Sequence, residues 1–128
     1  MSVSRLEWVL RVGVFGEFLG HGMFALQGKQ TWISWISQMT GADPAGAAQM
    51  LTLIGFMDIL VAVIVLFRPI RAVLLWAVFW GFWTALVRPL VGESGWDFVE
   101  RWANWAAPLA LLLVVGVPEK GKERDWLK

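Results

Sequence analysis

Long apolar runs separated by short polar joints set the pattern of this chain. A helix needs roughly 20 mostly apolar residues to cross about 30 Å of hydrocarbon. Four runs come near that length: residues 6–26, 49–67, 71–91 and 98–117. Backbone polar groups in lipid must be bonded within their own segment, so each run is expected to be a helix. The joints are short except for residues 28–48. There Trp32, Ile33, Trp35, Ile36 and Met39 recur at helical spacing, which predicts a short helix over residues 30–40 lying in the interface plane. Asp43 followed by Pro44 is a start signal for the next helix, with Asp43 as N-cap and Pro44 at the first helical position. Residues 118–128 read as a solvated tail. The predicted fold is all-α: an integral membrane four-helix bundle with one interfacial helix after the first span.

Composition supports this picture and narrows the chemistry. Apolar residues make up 58% of the 128 positions and charged residues 16%, against about 25% charged in soluble domains. A net charge of +1 offers no electrostatic footprint for nucleic acid. The absence of Cys removes thiol catalysis, disulfides, c-type haem attachment and Cys-ligated iron–sulfur clusters. One His is a weak signal for haem and leaves no metal site to predict. The ten Trp suit membrane–water boundaries, where one side of the ring meets hydrocarbon and the other water. Glu17, His21 and the lack of a following small-residue cleavage site argue against a cleavable signal peptide.

Orientation follows from Lys and Arg near the spans. With the N-terminus inside, Arg5, Arg11, Arg68, Arg71, Lys120, Lys122, Arg124 and Lys128 fall on the inner side. Lys29, Arg88 and Arg101 fall outside. The bias places both termini in the cytoplasm. Trp32, Trp35, Trp83, Trp96, Trp102 and Trp105 gather near the outer face.

Ionisable groups within a span are costly and are functional candidates by default. Glu17 and Asp58 land near the midplane, with His21 one turn above Glu17 on the same face. Arg88 closes the third span, and Glu100, Arg101 and Asn104 open the fourth. Pro108 cannot donate to the Asn104 carbonyl, which is left free. Gly16 and Gly20 form a GxxxG that permits close helix contact. Pointing the polar stripes at one another predicts a pocket open to the outer leaflet, with Glu17 and Asp58 at its floor. Its ligand-binding candidates are His21, Trp80, Trp83, Thr84, Arg88, Glu100 and Asn104. Each has a plainer reading, as a packing residue or an interfacial anchor. The inner halves of the spans carry no such lining, with Arg11 expected to snorkel to the inner interface. That asymmetry disfavours a channel or a small-solute permease.

Arg11 with GEFLGHGMFAL, IGFMDILVAVIVLFRP in the second span and WANWAAPLALLLV in the fourth resemble the DoxX-like superfamily of small four-helix bacterial membrane proteins. Gly55 and Asp58 occupy its Gly-x-x-acid segment, where the family more usually has Glu. Some relatives are linked to thiosulfate:quinone oxidoreduction or to membrane oxidoreductase assemblies. The resemblance implies a redox-linked setting in the bacterial inner membrane. Two functions follow. One is a non-catalytic accessory subunit of a larger membrane complex, packed among lipids and other membrane subunits. The other is a quinone-interacting subunit, in which His21 or Arg88 holds a ring carbonyl, Trp80 or Trp83 stacks on the ring, and Glu17 or Asp58 exchanges a proton. No redox cofactor is encoded, so any electron comes from a partner.

Overall fold

The computed structural model describes residues 3–128, and its helices follow the apolar runs. Helix α1 spans Val3–Leu26, α2 Gln30–Thr40, α3 Pro44–Phe67, α4 Arg71–Leu90, α5 Gly95–Glu100 and α6 Ala103–Val115. A 3₁₀ turn follows at Glu123–Leu127. There is no strand among the described residues. Four stretches are long and apolar enough to cross a membrane: Ser4–Leu26, Pro44–Phe67, Arg71–Leu90 and Gly95–Val115.

Local signals set several boundaries. Asp43 caps α3, its Oδ1 accepting from Gly46 N at 2.8 Å, with Pro44 first in the helix. Helix α3 therefore starts five residues before the apolar run at Gln49, because capping fixes its start and hydropathy does not. Gly41 ends α2 in the left-handed conformation at φ 76°, a turn that glycine adopts without penalty. The fourth stretch is not one continuous helix. Arg101, Trp102 and Asn104 donate to carbonyls three residues back, which tightens the chain between α5 and α6. Phe98, Trp102 and Trp105 pack edge to face across this break, with centroids 5.2 and 5.6 Å apart.

The long helices run up and down in the cyclic order α1, α3, α4, α6, each antiparallel to its neighbours. The main core joins Val14 and Phe18 of α1, Val61, Ala62 and Val65 of α3, Leu74 and Ala77 of α4, and Leu111 and Leu112 of α6. Large apolar side chains such as Leu53, Phe56, Leu60, Phe79 and Leu113 point outward. That inversion of the soluble pattern is what a lipid-facing surface requires.

Close helix contact does occur at glycines, but not at the predicted pair. A Cβ on Gly16 or Gly20 would meet nothing within 4 Å. The α1–α3 crossing uses Gly22 and Gly55, where a Cβ on either would lie 3.0 Å from the other's carbonyl oxygen. The α4–α6 crossing uses Gly81, where a Cβ would collide with the Asn104 carbonyl. The oxygen that Pro108 cannot bond is thus lodged against the backbone of α4.

Two arginines organise the end that carries the chain termini. Arg11 does not snorkel outward. It is buried, donates from Nε to Leu66 O at 2.9 Å and through a second guanidinium nitrogen to the same carbonyl, and pairs with Glu7 at 3.5 Å. Arg71 donates to Gly116 O at 2.6 Å, Val115 O at 2.8 Å and Lys128 O at 3.0 Å. The C-terminal segment is consequently folded back rather than solvated throughout, with Trp126 packed against the core. Asp125 pairs with Lys128 at 2.9 Å, and that ammonium holds its carboxyl below the usual range.

The glycine geometry makes a direct prediction. Gly81→Ala should destabilise the bundle by about 1–3 kcal/mol through overpacking, whereas Gly16→Ala should be nearly neutral. Thermal unfolding of both variants in the same detergent checks this. Equal loss in the two would place a helix contact on the Gly16 face instead.

Candidate functional site

Helices α3 and α4 are joined by the tight segment 68–70 and touch little beyond it. Away from that joint they splay, and the gap is a cavity of ≈ 270 Å³. Met50, Leu51, Ile54 and Asp58 line it from α3, and Trp80, Trp83, Thr84, Val87 and Arg88 from α4. His21 reaches it from α1. Helix α2 roofs it with Trp32, Trp35, Ile36, Met39 and Thr40. Drug-sized ligands occupy pockets of about 300–1,000 Å³, so this one suits a single ring with short substituents.

The roof has its own anchor. Ile33 packs with Ala25, Ala47 and Leu51 in a cluster separate from the main core. Lys29 lies over the Phe24 and Trp32 rings at 5.0 and 4.8 Å, pinning the joint from α1. His21 meets Trp32 edge-on, with centroids 5.6 Å apart. The amphipathic spacing read as a membrane-facing helix therefore also faces inward, over the cavity.

Two polar groups of the lining stand out. Arg88 is only 5% exposed. Its guanidinium donates to Thr84 O at 2.5 Å and lies 5.2 Å from the Trp35 ring centroid. No carboxylate pairs with it among the described residues. A guanidinium carries five N–H donors, so most of its capacity is left for a ligand. Asp58 is 2% exposed, and its Oδ1 has no hydrogen-bond partner. The Trp80 indole N–H faces this carboxyl closely enough to interact with it, but the two fall short of hydrogen-bond geometry and Nε1 has no other partner. Trp80 is held by stacking on Trp76 at 5.4 Å and 17°. Such buried, unsatisfied groups are rare in folded proteins and cost about 1–3 kcal/mol each.

The fold thus brings together Asp58, His21, Trp80, Trp83, Thr84 and Arg88 of the predicted site. Glu17, Glu100 and Asn104 do not line the cavity. Glu17 is close enough to Asp58 for their charges to interact. It sits one turn below His21 on α1, beside the core residue Phe18. Glu100 is exposed and paired with Arg101 at 2.8 Å, because the α5–α6 break takes it off the Asn104 face. The backbone carbonyl of Asn104 lies at the α4 crossing against Gly81. Trp35, Met39, Met50 and Ile54 were not singled out from the sequence as site residues, since an apolar wall looks like core. The described residues contain no group of three or more His, Asp or Glu able to hold a metal ion.

No family model matches the chain, and neither a curated protein nor a solved structure matches it.

If the Ile33 cluster holds the roof down, Ile33→Ala should loosen α2 and speed trypsin cleavage after Lys29. Ser34→Ala, on the exposed side, should leave the rate unchanged. Unaltered cleavage in Ile33→Ala would show that something other than this cluster fixes the helix.

Proposed function

We propose that this chain is a multi-pass protein of the bacterial inner membrane, DoxX-like, with both termini in the cytoplasm. In this reading it is an accessory subunit of a redox complex and holds a quinone-class ligand in the cavity under α2. The observation that carries the reading is Arg88, a buried cation without a carboxylate partner in an aromatic cavity. A neutral ring oxygen or a developing oxyanion is the complement of such a group. Trp80 and Trp83 supply ring faces within the same space. In this reading the redox step belongs to a partner subunit, and the role of this chain is binding and orientation. The cavity, with Asp58 Oδ1 unpartnered in its lining, favours this reading over packing alone.

Orientation supports which leaflet supplies the ligand. The Lys and Arg bias puts the cavity end outside, so the ligand reaches it from the outer leaflet. The chain has no cysteine, which makes the topology easy to read. Single cysteines at Lys29 and Glu93 should react with an impermeant thiol reagent applied to the outside of cells. Cysteines at Pro69 and Lys122 should react only after permeabilisation. The reverse pattern would invert the protein.

Ligand identity is tested by purification in mild detergent followed by solvent extraction. Quinone should be recovered in near-stoichiometric amount from the wild type, and Arg88→Leu should retain the fold with severalfold less. Equal recovery from both would remove Arg88 from the site, and no quinone in either would refute the ligand class.

A further inference from the structure

The deep end of the cavity holds two unsatisfied atoms of opposite kind. Asp58 Oδ1 lacks a donor and Trp80 Nε1–H lacks an acceptor, and the two groups face each other without meeting hydrogen-bond geometry. Both residues line the cavity, and Asp58 is almost fully buried. The Trp76 stack fixes the Trp80 ring, so the N–H cannot readily turn to another partner. A ligand group that satisfies both atoms must accept one hydrogen bond and donate another. A carbonyl oxygen only accepts. An ammonium only donates. A hydroxyl does both.

We infer that the deep end of the cavity binds a ring hydroxyl, which accepts from Trp80 Nε1–H and donates to Asp58 Oδ1. The inference rests on the quinone-class reading and sharpens it: within that class, the cavity selects the reduced form. With Asp58 ionised, a quinol presents the required O–H, whereas a quinone leaves Asp58 Oδ1 without a donor. Arg88 is separate from this pair. It stands two turns further along α4, about 12 Å by helical rise at its Cα, and its donors serve any oxygen on the ligand. Arg88 therefore contributes affinity in both redox states, and the Asp58–Trp80 pair contributes the difference between them. Leaving a buried acceptor unpaired costs more than making its bond gains, so the difference should be measurable.

The experiment compares a short-chain benzoquinol with its quinone on the purified protein in detergent under argon, read by quenching of intrinsic tryptophan fluorescence. The wild type should bind the quinol roughly three- to tenfold more tightly than the quinone. Trp80→Phe keeps an aromatic ring and removes the N–H. It should weaken quinol binding and narrow the preference, with its thermal unfolding checked against the wild type. Asp58→Asn keeps the size of the side chain and adds an amide donor, so it should admit the carbonyl and bring the two forms together. If Trp80 Nε1–H bonds Asp58 directly, or an ordered water already bridges them, both redox forms will bind the wild type equally, and the inference fails while the quinone-class site survives. Tighter binding of the quinone would fail it too, by making Asp58 a donor. Binding of neither form would take down the underlying reading as well. A preference that persists unchanged in Trp80→Phe and Asp58→Asn would place its origin elsewhere in the cavity.

Discussion

Carbonyls at a helix C-terminus have no partner within the helix, and where water is scarce they need donors from elsewhere. At the end of this bundle that carries the chain termini, two arginines supply them. Arg11 of α1 serves the end of α3 through Leu66, and Arg71 of α4 serves the end of α6 through Val115 and Gly116. Each link joins helices that are distant in sequence, and together with the 68–70 joint they draw all four long helices together. The main core of Val14, Val65, Leu74 and Leu111 lies toward this end and is fully buried. Among the described residues, no comparable clamp joins α3 to α4 at the other end. There the two helices part, and α2 covers the gap. The cavity is thus a consequence of holding one end of the bundle and not the other.

The asymmetry also sorts the polar residues by role. Arg11 and Arg71 spend their donors on backbone carbonyls and on nearby acids. Arg88, as buried as Arg11, bonds one carbonyl and faces a tryptophan. No carboxylate makes a direct ion pair with it among the described residues, and Asp97, Glu100 and Glu93 act on its charge only from a distance. Asp58 is short of partners too, its carboxyl keeping an orphaned oxygen beside an orphaned indole N–H. In the membrane setting we propose, neither group can turn to bulk water for relief. A ligand is the economical way to satisfy both.

Much of the architecture was legible in the sequence because its signals are local. Apolar run length gave the four long helices, helical spacing gave α2 at Gln30–Thr40, and the Asp43–Pro44 pair gave the cap of α3. Asp58, His21, Trp80, Trp83, Thr84 and Arg88 could be grouped because they are the polar and amphipathic residues of the runs that meet there. What failed depends on helix rotation and on distant partners. A GxxxG pair does not say which face of its helix has a neighbour, and at Gly16 and Gly20 there is none within reach of a Cβ. Arg11 finds its partner 55 residues away, which no local rule foresees. Glu100 and Asn104 would share a face on a continuous helix, and the turn at Arg101–Trp102 separates them. Arg71 draws the end of the C-terminal segment onto the bundle, so Trp126 is half-buried while the charged stretch 119–124 stays exposed.

The central claim is that the bundle is closed at one end and carries a ligand cavity at the other. It can be tested in one chemical measurement, since the chain has no cysteine of its own. Ile54 lines the cavity and Val65 is fully buried in the clamped core, both on α3. The rate of modification of Ile54→Cys by a small membrane-permeant thiol reagent, set beside that of Val65→Cys, reads the difference between the two ends. We predict that Ile54→Cys reacts readily, that a short-chain quinol slows it in a saturable way, and that Val65→Cys stays inert. Equal inertness of the two sites, or reaction at Ile54→Cys that no quinoid ligand slows, would contradict the account.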